Sequence, residues 1–225
     1  MAGIYMAGTP NDPTVMEARV QETRVMWDPT WKDPSWMGKE TGKVIQLLRL
    51  MRRWVDECYP GLQLAIGVYS FSGEKDVSGG VAQAELLGVF AREGLDYGCY
   101  WFFPQVNSSP YFAFKMFRNL DGAHTAFGDV YLPSQISKPD DVSVHAGRDQ
   151  RTGRLTFVLV NKRGAQGAMV DLQLSQPLPS QTLRVYEYGL ANKHAIGQWP
   201  DRTVQGTSLL IDLPPMTILR FDVGQ

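Results

Sequence analysis

The spacing of apolar residues predicts a helix and strand unit in the first half of the chain. Apolar residues recur at intervals of three and four over residues 39–58, which indicates an amphipathic helix. The short apolar run 62–69 is typical of a buried strand that opens onto a polar loop. A helical pattern over 81–92 and a second strand over 96–103 follow. Together these elements predict a β-loop-α-β unit of the kind found in (β/α) barrels.

The pattern changes after residue 122. Before it, two more helices are predicted, over 13–26 and 110–120, and residues 8–13 are predicted to form a loop. After it, short alternating segments separated by turn signals predict strands at 142–146, 155–161, 168–174, 183–188, 208–213 and 218–223. The fold class is therefore α/β plus all-β. We expect part of a (β/α) barrel over 1–122, a linker over 123–140 and an antiparallel β-sandwich over 141–225.

The loops after the two predicted parallel strands carry the candidate chemistry. Because barrel enzymes place their sites on such loops, residues 68–76 and 101–107 should lie on one face. The first loop contains Glu74 and Asp76, and the second begins at Trp101. These side chains are candidates for a polar and aromatic binding surface.

Three tryptophans, Trp27, Trp31 and Trp36, crowd a proline-rich loop that also contains Asp28 and Asp33. Two interpretations are open. The rings cap one end of a hydrophobic core, or they form a wall for a planar ligand such as a sugar ring.

Composition excludes several classes of partner. The formal net charge is −1, from 22 basic and 23 acidic residues, so neither nucleic acid nor an anionic membrane is expected as the main partner. No apolar run approaches the roughly 20 residues of a transmembrane helix. The first eight residues lack the basic and apolar regions of a secretory signal.

No cofactor and no metal site are expected. The chain has 2 cysteines, Cys58 and Cys99, both in apolar surroundings and interpreted as reduced core thiols. The 3 histidines, His124, His145 and His194, lack the spacing of metal ligands.

Several segments together carry a family resemblance. They are LQLAIGVY (62–69), DVSGG (76–80), YW (100–101), FRNLDG (117–122), FGD (127–129), VLVNK (158–162) and ETRVMWDP (22–29). In their order and spacing the chain resembles the C-terminal part of glycoside hydrolase family 44. That family comprises endo-β-1,4-glucanases and xyloglucanases built as a (β/α)8 barrel plus a β-sandwich. The resemblance implies a β-glucan ligand, a retaining mechanism and, by family habit, secretion.

Two departures from the family pattern bear on catalysis. The family strand that matches 64–69 carries a Thr-Glu-Tyr triplet whose Glu is the nucleophile, whereas this chain has Gly67, Val68 and Tyr69. About six barrel strands, including the one that supplies the family's acid/base, would precede this point. Hydrolysis by this chain alone is therefore not expected, because the mechanism needs a pair of carboxyls. Glu74 and Asp76 are weak substitutes; otherwise they are solvated loop residues or partners of the next helix N-terminus.

Under this resemblance, one side of a glucan cleft should remain. The expected substrate-binding residues are Trp27, Tyr69, Phe71 and Trp101, which would offer aromatic faces, and Glu74, which would accept a sugar hydroxyl.

Other hypotheses remain open. One is a non-catalytic carbohydrate-binding or accessory protein, with the sandwich as its working part and Tyr186, Tyr188 and Trp199 as its candidate aromatics. A partial barrel also exposes strand edges, so a second chain or a second copy would complete it.

Overall fold

A computed structural model describes residues 12–42 and 44–223, the side chain of residue 37 excepted. The predicted loop 8–13 and the N-terminal segment judged for a signal therefore lie almost wholly outside the described residues. The helices are α1 Pro13–Gln21, a 3₁₀-helix Glu22–Met26, α2 Trp36–Thr41, α3 Leu47–Cys58, α4 Val77–Glu93 and α5 Ser109–Arg118. The strands are β1 Ala65–Tyr69, β2 Tyr97–Tyr100, β3 Val130–Leu132, β4 Val142–Arg148, β5 Leu155–Asn161, β6 Ala168–Gln173, β7 Thr182–Gly189, β8 Asn192–Thr203, β9 Ser208–Leu213 and β10 Thr217–Val223.

The helix predicted over 39–58 is two helices, so that prediction was wrong in part. Gly42 ends α2 in a left-handed conformation with φ 58°. Gln46, with φ 48°, is also left-handed and precedes α3. An α-helix cannot continue through left-handed residues, and the apolar spacing alone did not reveal this break.

The parallel pair predicted for the first half is present, because β1 and β2 pair in parallel. The prediction that the first strand is buried was wrong. Val68 is 49% exposed, and Tyr97 at the start of β2 is 63% exposed. Among the described residues these two strands form a sheet of their own, with Leu64, Ile66 and Tyr69 packed on α3, α4 and the 3₁₀-helix. The opposite face of β1, on which Val68 lies, is exposed in the part of the chain that the structure describes.

The second half is built on antiparallel sheets. A six-stranded sheet has the order β3-β4-β5-β10-β7-β8, and a two-stranded sheet pairs β6 with β9. The observed limits of β5 and β9 match the predicted strands 155–161 and 208–213. The sequence pattern missed β3, which falls within 123–140, and β8, whose residues are mostly polar.

The six-stranded sheet is covered on both faces. One face, including Val158, Val160 and Ile218, packs against α1, α4 and α5. The other face, including Leu159 and Phe221, packs against the pair β6–β9. Because successive residues of a strand point to opposite faces, β5 is mostly apolar along its length, and all seven residues of β10 are buried. This packing fixes the helices relative to the sheet.

A buried ion cluster also joins α4 to the six-stranded sheet. Glu85 of α4 accepts hydrogen bonds from Ser143 Oγ at 2.8 Å and Lys162 Nζ at 3.2 Å, and lies 3.2 Å from His145 Nε2. The side chains of Glu85 and Lys162 are both 0% exposed. Burial raises the pKa of Glu85, but the charges of Lys162 and His145 and their hydrogen bonds outweigh it. Its pKa is therefore held well below the usual range.

Both cysteines are free, but they are not core residues. Cys58 and Cys99 are exposed, which corrects their assignment to the interior. Cys58 ends α3, and Cys99 lies on the exposed face of β2, which no described element covers. Within residues 12–42 and 44–223, no helix combines the length and apolar character needed to cross a membrane.

Candidate functional site

The main candidate site is a cleft at the carboxyl ends of β1 and β2. Its volume is about 890 Å³. It is lined by Trp36, Ser70, Ser72, Glu74, Lys75, Tyr100, Trp101, Phe102, Phe103, Pro104, Gln105, Ser108 and Pro110. The loops that follow the two parallel strands therefore meet on one face, as the sequence predicted for 68–76 and 101–107.

The first of these loops is held tightly against the start of α4. Gly73 has φ 82°, and a Cβ added there would lie 2.9 Å from Gly79 Cα. A Cβ on Gly79 would in turn lie 2.1 Å from Gly73 O. Only glycine fits this close approach of two backbone segments. The result is a rigid loop that presents Ser70, Ser72 and Glu74 to the cleft.

The two candidate carboxylates of this loop have different roles. Asp76 is buried and caps α4, where its Oδ1 accepts from Ser78 N at 2.9 Å and lies 3.4 Å from Arg19 Nη1. A carboxylate engaged in this way stabilises the helix N-terminus and is not presented to the cleft. Glu74 is exposed and lines the cleft.

Glu74 lies beside a tyrosine that stays protonated. Tyr100 Oη lies 3.5 Å from Glu74 Oε1, and Ser70 Oγ lies 3.5 Å from Tyr100 Oη. Both contacts are at the outer limit of a hydrogen bond. Burial and the nearby Glu74 carboxylate raise the pKa of Tyr100, although the Ser70 hydroxyl opposes the shift. A carboxylate accepts hydrogen bonds and the two hydroxyls both donate and accept them, so the three groups suit ligand hydroxyls.

Four exposed aromatic rings line the cleft. Trp101 is 45% exposed, Phe102 59%, Phe103 91% and Trp36 70%. The Trp101 and Phe102 rings are 5.6 Å apart in an edge-to-face arrangement. Exposed aromatic surface concentrated beside polar groups marks a ligand site more often than it serves stability.

Two predicted binding residues pack inward instead. Tyr69 is 4% exposed and its hydroxyl accepts a hydrogen bond from Gln83 Nε2 at 2.8 Å. Burial raises the pKa of Tyr69 to about 12. Phe71 is half-buried against the core under the cleft. These rings support the cleft from below, and neither of them lines it.

The three tryptophans of the proline-rich loop lie in different surroundings. Trp27 packs against the core below Arg92, whose guanidinium carbon lies 4.2 Å from its ring centroid, and Trp31 has Arg24 at 4.7 Å. Trp27, predicted as a binding residue, is half-buried and does not line the cleft, and neither does Trp31. Trp36 alone of the three lines the cleft.

The three aromatic residues considered in the antiparallel half differ in burial and in contacts. Tyr188 is 1% exposed, and Trp199 donates its Nε1 hydrogen to Glu187 at 2.7 Å. Tyr186 is half-buried against the core beneath the helices. Tyr188 is thus buried, whereas Tyr186 and Trp199 are half-buried, and none of the three lines the cleft.

Val68 lies on the exposed face of β1, two residues before Ser70, and is not among the residues that line the cleft. Among the described residues that do line it, Glu74 is the one acidic side chain. Within the described ranges, no three His, Cys, Asp or Glu side chains form a metal-binding group.

One buried carboxyl outside the cleft, that of Glu22, has a strongly raised pKa. Burial, together with the charge of Asp33, raises the pKa of Glu22 to about 7. Glu22 is 1% exposed, and its Oε2 lacks a hydrogen-bond partner among the described residues. Although such a pKa suits a general acid, Glu22 does not line the cleft, so its effect is on stability.

Sequence reasoning missed part of the cleft. Ser70, Ser72, Phe102, Phe103 and Gln105 line it and had not been singled out as binding residues. The available signal was their position in the two loops predicted to share one face.

Comparisons with known proteins indicate which proteins the chain resembles. No family model matches the chain. It is 28% identical over 215 residues to endoglucanase A of Paenibacillus lautus, which covers 95% of this chain and 31% of that protein. Among solved structures, the bifunctional glucanase-xylanase CelM2 from a metagenome library is 30% identical, with a TM-score of 0.86 over 93% of this chain and 39% of its own.

A second solved structure is the Paenibacillus polymyxa xyloglucanase of family 44 with xyloglucan. It is 28% identical, with a TM-score of 0.84 over 93% of this chain and 42% of its own. The chain thus spans well under half the length of each of these relatives. In sequence and in fold, the chain resembles the C-terminal part of glycoside hydrolase family 44.

Proposed function

We propose that this chain binds a β-1,4-glucan in the cleft above β1 and β2 and does not hydrolyse it by itself. The observation that carries the proposal is the composition of the cleft, in which four exposed aromatic rings accompany a single carboxylate. Aromatic faces and hydroxyl partners hold a neutral polysaccharide without charge. Both relatives whose structures were compared carry glucanase or xyloglucanase in their names.

The lack of turnover follows from the chemistry of glycoside hydrolysis. Both the retaining and the inverting mechanism use two carboxyl groups, about 5–5.5 Å or roughly 6.5–9.5 Å apart. Val68 stands where the family resemblance places the nucleophile, and a valine side chain can neither attack an anomeric carbon nor stabilise a positive charge. Asp76 is committed to capping α4. Glu74 is then the only acidic side chain among the described residues of the cleft, which is insufficient for either mechanism.

The finer architecture is part of the same proposal. We infer that residues 1–122 are part of a (β/α) barrel, with β1 and β2 as two of its strands, and that 141–225 are a β-sandwich, with β3 of the segment 123–140 added to its larger sheet. The exposed face of β1 and the exposed Tyr97 support a covering partner, either a second chain or a second copy. A monomer in light scattering that binds glucan with full affinity would contradict the need for that partner.

Trp101→Ala tests the binding surface. We expect the affinity for cello-oligosaccharides, measured by calorimetry, to fall about tenfold, equivalent to about 1.4 kcal/mol, because a stacking face is lost. Since Trp101 is already 45% exposed, its truncation should leave the fold intact.

Trp54→Ala is the matched control. Trp54 is 55% exposed on α3 and does not line the cleft. Its replacement should leave the affinity unchanged. Equal affinities for the wild type and Trp101→Ala, with both proteins folded, would show that the cleft is not the glucan site.

A further inference from the structure

A second cavity lies on the face of the six-stranded sheet that packs against the helices, just beyond the end of α5. Its volume is about 280 Å³. It is formed by the segment after α5, by the residue before β5, by the start of β7 and by the end of β10. It shares no residue with the cleft, so it is separate from the proposed glucan site. The polar residues that line it are Asp121, Thr125, Arg154, Arg184, Tyr186 and Asp222.

The pairing of β7 with β10 brings two side chains of β7 to this cavity. Arg184 pairs with Asp222 of β10, and Tyr186 pairs with Arg220. Tyr186 packs on the core beneath the helices. Because residues two apart in a strand share a face, Arg184 and Asp222 lie on that face as well. The helix α5 ends at Arg118, and the segment that follows it forms the opposite wall of the cavity.

Both carboxylates of the cavity are already engaged by hydrogen bonds. Asp222 Oδ1 accepts from Thr156 Oγ1 at 2.9 Å and from Arg220 Nη2 at 2.9 Å. Asp121 Oδ2 accepts from Thr125 Oγ1 at 2.5 Å, and its Oδ1 accepts from two backbone N–H groups. The Thr125 hydroxyl and these N–H groups lower the pKa of Asp121 to about 2, so this group stays charged. Among the described residues, neither carboxylate forms an ion pair with an arginine that lines the cavity.

The hydrogen-bond donors of the cavity, by contrast, are largely unused. Arg184 is exposed, and its side chain makes no hydrogen bond or ion pair within the described ranges. Arg154 Nη2 donates to Ala126 O at 2.6 Å, but Arg154 Nε is buried and has no hydrogen-bond partner in the described part of the chain. The Tyr186 hydroxyl also makes no hydrogen bond there. A buried donor without a partner is costly, and an oxygen acceptor in the cavity would satisfy such donors.

The charges around the cavity favour a ligand with one negative charge. Arg220, which is 0% exposed, neutralises Asp222. The charges that remain are the guanidinium groups of Arg154 and Arg184 and the carboxylate of Asp121, which leave an excess of one positive charge. Asp121 would repel a dianion more strongly than a monoanion. A planar carboxylate also matches the fork of donors on a guanidinium group.

We propose that this cavity binds a small organic carboxylate of about the size of one sugar ring. Arg184 and Arg154 hold the carboxylate, and the Tyr186 hydroxyl contacts a hydroxyl of the ligand. The volume lies just below the range of roughly 300 to 1,000 Å³ that is usual for small-molecule sites, which suits a ligand of this size. The apolar residues Leu120 and Val223 also line the cavity and can contact the carbon atoms of the ring.

Calorimetry with the full chain at neutral pH tests this site, with D-glucuronate as the probe. D-glucose is the neutral comparison, because it has the same ring without the carboxylate. We expect the wild type to bind glucuronate and not glucose. Arg184→Ala should lower the affinity for glucuronate about tenfold, because charge-assisted hydrogen bonds are lost. Arg184→Lys, which keeps the charge but not the planar fork, should lie between the two proteins.

Arg202→Ala is the matched control. Arg202 is exposed on β8 and pairs with Leu183, the residue before Arg184, but it does not line the cavity. This variant therefore removes the same charge from a neighbouring position. Its affinity for glucuronate should equal that of the wild type.

Three results would overturn the proposal. They are failure of the wild type to bind glucuronate, equal losses of affinity in Arg184→Ala and Arg202→Ala, and tighter binding of inorganic phosphate than of glucuronate. The last result would assign the two arginines to a phosphate ligand instead of a carboxylate. Circular dichroism of each variant confirms that it is folded. Because the cavity and the cleft share no residue, none of these results bears on the proposed glucan binding.

Discussion

Lys162→Met is expected to destabilise the protein by roughly 3–5 kcal/mol, because it leaves the Glu85 carboxylate buried without its cation. Lys162 Nζ lies 3.2 Å from Glu85 Oε1, and neither side chain is exposed. Ser143 and His145 would still contact Glu85, but neither takes the place of the lost ammonium group. Urea unfolding followed by tryptophan fluorescence measures the change. Since the cluster joins α4 to the six-stranded sheet, the helices above the sheet should loosen with it.

A double variant separates the charge effect from loss of packing. Glu85→Leu/Lys162→Met removes both charges, and its free energy of unfolding should recover most of the loss caused by Lys162→Met alone. Lys138→Met, at an exposed lysine, should change stability by less than about 0.5 kcal/mol. If Lys162→Met were as mild as this control, the buried ion pair would not hold the two halves together.

Stability should fall as the pH rises from about 4.5 to 7, and Glu22→Gln should remove this trend. The pKa of Glu22 is about 7 in the folded chain against an ordinary 4.5, so the folded chain keeps a proton that the unfolded chain releases. The resulting stabilisation is fully present below about pH 4.5 and is lost as the pH rises to about 7. A pKa difference of this size corresponds to roughly 3 kcal/mol in the free energy of unfolding. Gln has the shape of the protonated acid, so the variant should be the more stable protein above pH 7. Urea unfolding at a series of pH values measures both curves.

Glu57→Gln is the control for the pH series. Glu57 is exposed on α3, and its replacement should leave the pH dependence as in the wild type. Parallel curves for the wild type and Glu22→Gln would mean that the unpartnered Glu22 carboxyl is charged in the folded chain.

The sequence predicts best where local spacing decides the structure. The strands 155–161 and 208–213 were placed correctly because both carry a continuous or alternating apolar pattern. The meeting of the two loops at the cleft was also predicted, because parallel strands bring their carboxyl ends together. By contrast, β8 contains Gly197, Pro200 and many polar residues, so its pattern resembles a loop. It is a strand because it pairs with β7.

Whether a candidate binding residue lines the cleft or packs inward depends on contacts with residues far away in the sequence. Tyr69 reads as a strand-end aromatic, but Gln83 of α4 binds its hydroxyl inside the core. Trp27 reads as a loop tryptophan, but Arg92 at the end of α4 lies over its ring. Trp101 and Glu74, by contrast, line the cleft and are exposed. The spacing of residues along the chain does not predict such contacts between distant segments. Only the folded structure therefore distinguishes the rings that pack inward from those that face the cleft.

Binding without cleavage is tested most directly by one paired measurement on the purified wild-type chain. Calorimetry with cellohexaose is combined with chromatography of the same mixture after a prolonged incubation. We predict saturable binding with the oligosaccharide recovered intact. Shorter oligosaccharides, formed by the wild type and lost in Glu74→Gln, would contradict the proposal and identify Glu74 as a catalytic carboxyl.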